Sequence, residues 1–247
     1  MEDKIMNKIN SFYVNYIKAY GDAFWEIIYP EGITCVICKK SIYKEKYSLC
    51  KDCYSKIAFL DTGIWIQTSA IREAIPIRIF SVVKYNNASK KIIYRLKYNQ
   101  ETFMARMMAE MMMDYILKAG IMFNCIVAVP LHKKREKERG FNQAYLLAKY
   151  LSKGCNIPCI KNNLIRIRDT KVMHHLSRQS RQKNVEEAFY ILDPVEFANK
   201  EILLIDDIVT TGATVEACCK ILIEAGASSV KVLTLARRTK EEGKVWI

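Results

Sequence analysis

The sequence predicts an α/β fold, a parallel sheet flanked by helices, with a small N-terminal module ahead of it. Three observations carry this reading. After residue 76, strand-like and helix-like segments alternate, the order that places a parallel sheet between two layers of helix. Before that region stand two Cys-x-x-Cys pairs, Cys35/Cys38 and Cys50/Cys53, eleven residues apart. Near the end, an apolar run over residues 201–205 leads into Asp206-Asp207, a threonine-rich turn and a helical pattern. A chain of 247 residues holds one good core with a small appendage. The expected division is an N-terminal helix and four-cysteine zinc module over residues 1–60 and a larger domain over residues 61–247.

Taken in order, residues 5–28 read as an amphipathic helix, with Ile5, Ile9, Phe12, Tyr16, Tyr20, Phe24 and Ile27 at helical spacing. It either docks on its own domain, the favoured reading, or lies on a membrane surface. Pro30 and Gly32 stop it. The four cysteines follow. Paired knuckles of this spacing let four thiolates converge on one zinc ion, and a closed shell of four makes that metal structural. A module this short depends on its metal to fold. The other cysteines lack such spacing, and Cys218 and Cys219 fall in a helical pattern as core thiols.

Residues 77–83 read as a strand, and 89–98 and 103–118 as helices whose methionines form a core face. Residues 125–129 read as a short buried strand ending at Pro130. A basic loop comes next, then a helix over 142–153 and a strand over 163–167. Residues 169–184 are polar and basic, with no clear apolar period. The strand at 201–205, a helix over 215–225 and a strand over 229–235 close the series.

The net charge of +13 is concentrated. Segments 35–56, 132–139 and 161–183 carry surpluses of four, three and six positive charges, which account for all of it. For the first, solvated loops explain the charge as well as a ligand does. For the other two, an anionic ligand or nucleic acid is the better reading. The chain offers no secretory signal and no membrane-spanning run. A cytoplasmic location is expected, where clustered cysteines bind metal more often than they pair.

The stretch from residue 201 to Thr214 is the chemical centre. A strand ending in a parallel sheet puts Asp206 and Asp207 at the edge where ligands bind. Backbone N–H groups, the hydroxyls of Thr210, Thr211 and Thr214, and a helix N-terminus then attract a phosphate. Gly212 lets the backbone approach it. Two carboxylates beside a phosphate cradle would repel a bare polyphosphate but suit the hydroxyls of a ribose. The pattern therefore selects a ribose 5-phosphate over a nucleoside triphosphate. Neither G-x-x-x-x-G-K-[ST] nor G-x-G-x-x-G occurs. A phospho-accepting receiver domain would also place aspartates at a strand end, but would not need Thr-Thr-Gly-Ala-Thr next.

This segment resembles the 5-phosphoribosyl 1-diphosphate (PRPP) loop of type I phosphoribosyltransferases. Further motifs narrow the likeness. The Cys-x-x-Cys pairs, Leu96-Lys97-Tyr98, Val129-Pro130-Leu131-His132, Arg139-Gly-Phe-Asn-Gln-Ala144, Arg178 with Arg181-x-x-Asn184-Val185, and Ala188-Phe189 resemble the late-competence ComF family. The resemblance implies a zinc-bearing module on a phosphoribosyltransferase fold, acting in DNA uptake or on incoming single-stranded DNA, with other competence proteins as further partners. It implies that Asp206 and Asp207 take the ribose hydroxyls and that Thr210, Thr211, Gly212, Ala213 and Thr214 take the 5-phosphate. Lys133, Lys134, Arg135 and Arg139 fall on the diphosphate side, Arg139 foremost, and Arg178 and Arg181 close over it from a neighbouring loop. Mg²⁺ comes with PRPP.

The sequence departs from the family where Met173 replaces an expected glutamine, preceded by Lys171 and Val172 instead of prolines. The departure bears on turnover rather than on binding. Two functions stay open. One is a protein that binds PRPP or ribose 5-phosphate and holds single-stranded DNA. The other is a transferase displacing diphosphate from C1 of PRPP, with Asp206 or Asp207 stabilising the positive sugar ring. His174 and His175 read as solvent or nucleic-acid contacts. Tyr94, Tyr98, Phe141 and Tyr145 offer stacking surfaces for bases, although helix-core packing is the favoured reading.

Overall fold

Residues 33–67, 76–98, 102–168 and 188–238 are described in a computed structural model of the chain, which divides into two units between Tyr54 and Ser55. The expected helix at 5–28 lies outside the described residues, as do Met173, His174, His175, Arg178 and Arg181.

In the first unit an antiparallel bridge joins Thr34 to Ser41 around the first cysteine pair. The turn closes through hydrogen bonds from the Cys35 N–H to the Lys40 carbonyl and from the Lys39 N–H to the Cys35 carbonyl, 2.8 and 2.9 Å. Cys50 immediately precedes a single helical turn, α1 (Lys51–Tyr54), which carries Cys53. Apart from the cysteines, only Val36, Tyr47 and Leu49 supply buried apolar side chains among the described residues of this unit. That is too little for an independent core.

The second unit begins with β1 (Ile64–Gln67), β2 (Pro76–Lys84), α2 (Asn87–Tyr98), α3 (Phe103–Ala119) and β3 (Cys125–Ala128). It continues through α4 (Lys133–Arg139), α5 (Gln143–Cys155), β4 (Cys159–Ile160), β5 (Leu164–Arg166) and β6 (Phe189–Ile191). The last elements are β7 (Glu201–Val209), α6 (Ala213–Glu224) and β8 (Ser229–Arg237). Six strands form one sheet in the order β1-β2-β8-β7-β3-β4. All neighbours run parallel except the edge strand β1. Ile202, Leu203, Leu204 and Ile205 are fully buried, as a central parallel strand covered on both faces requires. Val215, Cys218, Cys219 and Leu222 of α6 join the core that contains Ile202 and Leu204. On α3, five methionines from Met104 to Met112 are buried, and Tyr115 meets Phe80 edge-on at 6.2 Å.

Four expectations need correction. The basic stretch after β3 is a helix rather than a loop. It has no apolar period to reveal it, but the His132 side chain caps its start, accepting from the Lys134 N–H, and Gly140 at φ 86° ends it. The strand expected at 163–167 does not enter the main sheet. It pairs with β6 in a separate antiparallel ribbon. The Asn163 side chain fixes that ribbon, accepting from the Leu192 and Asp193 N–H groups and donating to the Asp193 carbonyl. The strand expected to end at residue 205 continues to Val209. Finally, Tyr94 and Tyr98 are exposed rather than packed in the core. The buried face of α2 is Ser89, Ile92, Ile93 and Leu96, and the two tyrosines fall off it.

Candidate functional site

The carboxyl end of β7 builds the site. Its pairing with β8 extends through Asp206 opposite Thr234 and Ile208 opposite Ala236, so Asp206 is a paired rung and Asp207 lies between two rungs. Successive side chains on a strand face opposite ways. Asp206 turns to the α6 side, toward Cys218, whose thiol is pushed up chiefly by burial. Asp207 turns to the other side and forms an ion pair with Lys97 near the end of α2. The Lys97 and Asp207 side chains are 20% and 11% exposed, so solvent screens this pair far less than a surface one. Burial, and then the charge of Asp207, push the Asp206 carboxyl up to about 8, although its Oδ1 accepts a 2.8 Å hydrogen bond from the Asp207 N–H.

Beyond Val209 the chain turns through exposed Thr210 and Thr211 to buried Gly212. Gly212 has φ 83°, a left-handed value that a side chain would strain. It occupies the N-cap of α6 without a side-chain cap, leaving the first helical amides, beside Ala213 and Thr214, to be satisfied by something else. Arg237 and Arg238 line a shallow recess at this turn. Nε and Nη1 of Arg237 are buried without a hydrogen-bond partner, and burial lowers its guanidinium from the usual range. Threonine hydroxyls, free amides and an unsatisfied guanidinium suit an anion with several oxygens.

The Arg139–Ala144 segment acts as a clasp. Asn142 caps α5 through the Tyr145 N–H and donates to the Val129 carbonyl. Arg139 donates to the buried Gln143 side chain, which itself donates to the Phe141 carbonyl. The Arg139 guanidinium lies 5.6 Å from the Tyr98 ring centre, and Tyr98 stacks obliquely on Tyr94 at 4.6 Å. Consecutive residues of α2 therefore contact Asp207 and Arg139. Lys133 is exposed at the start of α4. The structure thus gathers Asp206, Asp207 and Thr210–Thr214 at one junction, and links Arg139 to it through α2. Lys97 and Arg237 complete this surface without having been assigned a role from sequence. Arg237 was within reach, because it ends the strand beside β7 and so lies at the same sheet edge.

Mg²⁺ does not fit the aspartates as a directly bound ion. Asp207 is already paired with the Lys97 ammonium, which leaves a single carboxylate, Asp206, beside it on the strand.

In the first unit, the sulfurs of Cys35, Cys38, Cys50 and Cys53 all lie within 4.8 Å of one another. The Cys38 and Cys50 Sγ atoms are 3.6 Å apart. Four sulfurs arranged tetrahedrally at zinc–sulfur distances would stand about 3.8 Å apart, so the donor set fits zinc. Burial opposes a Cys35 thiolate, yet the N–H groups of Cys38, Cys50 and Ile37 outweigh it and bring the thiol down to about 6. Burial and the neighbouring sulfurs push Cys53 up to about 12. Among the described residues no other group of three or more metal-ligating side chains converges.

Residues 137–246 match the phosphoribosyl transferase domain family. The chain is 30% identical over 210 residues to the DNA utilization protein YhgH of Salmonella typhimurium, covering 82% of this chain and 89% of that protein. It is 27% identical to competence protein F of Haemophilus influenzae, covering 82% and 96%. With competence protein ComFC of Bacillus subtilis it shares 29% identity, covering 87% and 90%. The sheet described above is the type I phosphoribosyltransferase-like core, and no described helix is long and apolar enough to cross a membrane.

Proposed function

The chain belongs to the late-competence ComF family, and from that premise we propose that it binds PRPP or ribose 5-phosphate at the end of β7 while its basic surface handles single-stranded DNA during uptake. One observation carries the ligand reading. A buried strand delivers two aspartates to a turn of hydroxyls and free amides that opens α6. Asp206 and Asp207 then receive the ribose hydroxyls, and Thr210 to Thr214 receive the 5-phosphate, with Arg237 adding donors. Arg139 and Lys133 serve the diphosphate side, and Arg181 joins them there. The four-cysteine cluster holds one structural zinc.

Calorimetric titration separates the two halves of this site. Asp207→Asn keeps the shape but removes the charge, so PRPP (as its Mg²⁺ complex) and ribose 5-phosphate should weaken, and inorganic phosphate far less. Thr211→Val deletes one hydroxyl, and all three ligands should weaken by about 1.5–3 kcal/mol. ATP binding as tight as PRPP binding, or mutants indistinguishable from wild type, would sink the assignment. Diphosphate release from PRPP across a panel of bases and amines distinguishes binding from transfer.

The DNA reading rests on charge. Lys133, Lys134 and Lys137 are exposed on α4, and the exposed Tyr94–Tyr98 pair offers ring faces for bases. Affinity for a single-stranded oligonucleotide should fall with salt at a log–log slope of roughly −0.7 per phosphate neutralised. Replacing the three lysines by alanine should flatten that slope. An affinity that salt and these substitutions leave unmoved would count against it.

A further inference from the structure

We propose that Lys97 is a built-in counter-cation for the ribose end of the site, and that it makes sugar-phosphate binding independent of divalent metal. The inference rests on the sugar-phosphate reading above and deepens it. Lys97 lies near the end of α2, a helix anchored by Ser89, Ile92, Ile93 and Leu96. The N-terminal turn of α2 is fixed by the Asn86 side chain, which accepts from the Ala88 and Ser89 N–H groups. The helix therefore delivers the ammonium to Asp207 from a fixed position.

Charge explains the need. Ribose 5-phosphate is close to a dianion at neutral pH. Two ionised aspartates at the sugar end would oppose its approach, in a place too shielded for salt to screen the repulsion. A bound divalent cation would be one remedy. Here the ammonium of Lys97 already sits on Asp207, and Asp206 is held largely neutral by its burial and by Asp207. The sugar thus meets a cluster of hydrogen-bonding groups with little net charge. Asp207 still has lone pairs to accept from ribose hydroxyls. With Asp207 already paired, a metal has less to neutralise here until a diphosphate enters.

The neighbouring contact gives Lys97 a second consequence. Tyr98, next along α2, lies against the Arg139 guanidinium. The same helix end therefore orients a carboxylate on one side and a cation on the other. Lys97 acts through Asp207 and is a positioning residue, so its test needs a readout that mere structural damage would not reproduce.

Ribose 5-phosphate should be titrated calorimetrically into wild type, Lys97→Met and Lys97→Arg, each with EDTA and with Mg²⁺, with inorganic phosphate as a control for the turn. Wild-type affinity should change less than about twofold between EDTA and Mg²⁺, since a metal with no site cannot shift binding. Lys97→Met should lose about ten- to hundredfold in EDTA, the range for a charge-assisted contact, and recover part of it in Mg²⁺. Its inorganic phosphate affinity should stay near wild type, and Lys97→Arg should restore most of the sugar-phosphate affinity. Wild type that binds ribose 5-phosphate only with Mg²⁺ would overturn the role of Lys97 and leave the sugar-phosphate site standing. So would a Lys97→Met protein that matches wild type in EDTA. Absence of ribose 5-phosphate binding under either condition would overturn both.

Discussion

Metal analysis of the purified protein is expected to find about one zinc ion per chain, and removing it is expected to unfold residues 33–54. The size of the effect follows from how little else holds that unit. Val36, Tyr47 and Leu49 are its buried apolar side chains besides the cysteines, among the described residues, and burying each contributes only about 1.5–3 kcal/mol. Ordering the backbone of some twenty residues costs more, at about 1–2 kcal/mol each. Zinc held by four cysteines contributes roughly 10–16 kcal/mol in small modules at neutral pH. The folded state of this unit should therefore depend on the ion. Chelation should expose the 33–54 segment to protease, while the sheet of the second unit keeps its own core. Cys38→Ser should lower the zinc content and produce the same local sensitivity. Zinc-free protein with an intact, protease-resistant segment would end the idea.

Asp206→Asn is expected to stabilise the protein while weakening its ligand site. The folded chain holds the Asp206 carboxyl up to about 8, against an ordinary value of 3.8. Between those values the folded state retains a proton that the unfolded state has released. Unfolding then releases protons, so this group makes stability fall as pH rises from about 4 to about 8, and the loss is complete above that. Asparagine has no proton to lose, and its oxygen can still accept from the Asp207 N–H. The mutant's gain over wild type should therefore be small near pH 4 and grow by about 1.4 kcal/mol per pH unit from pH 5 to nearly pH 8. Denaturant unfolding of both proteins across that range tests it. A gain that is flat with pH, or that shrinks as pH rises, would show that Asp206 is ionised in the fold. Weaker PRPP binding by this more stable protein would mark Asp206 as a residue kept for its ligand.

What the sequence revealed depended on how local the signal was. Four cysteines in two knuckles announce themselves within nineteen residues, and they converge as expected. The strand at 201–205 was legible because its buried residues, Ile202 to Ile205, are apolar throughout. The next four residues were not. Two aspartates look like the end of a strand, and only the partner β8, with Thr234 and Ala236 opposite, carries the ladder past them. Helix α4 was invisible for a related reason. All seven of its residues are charged, so its start and stop are written in His132 and Gly140 rather than in any periodicity. The tyrosines of α2 were misread because spacing gives a shared face without saying which face is inward. Lys97 stood in a recognised motif, yet its partner is 110 positions away, and no local pattern announces such a pairing.

The continuation of β7 to Val209 also decides when the ordering of the ligand site takes place. Asp206 is paired in the sheet, Asp207 is held between paired neighbours, and the N–H of Arg238 reaches back to the Val209 carbonyl to hold the last rung. Their backbone entropy is lost when the chain folds. A sugar that meets them has no disorder to remove there, which at about 1–2 kcal/mol per residue is a substantial saving. The exposed Thr210 and Thr211 lie beyond that last rung. Binding energy gained at the ribose end is therefore not spent on ordering the strand that carries the aspartates.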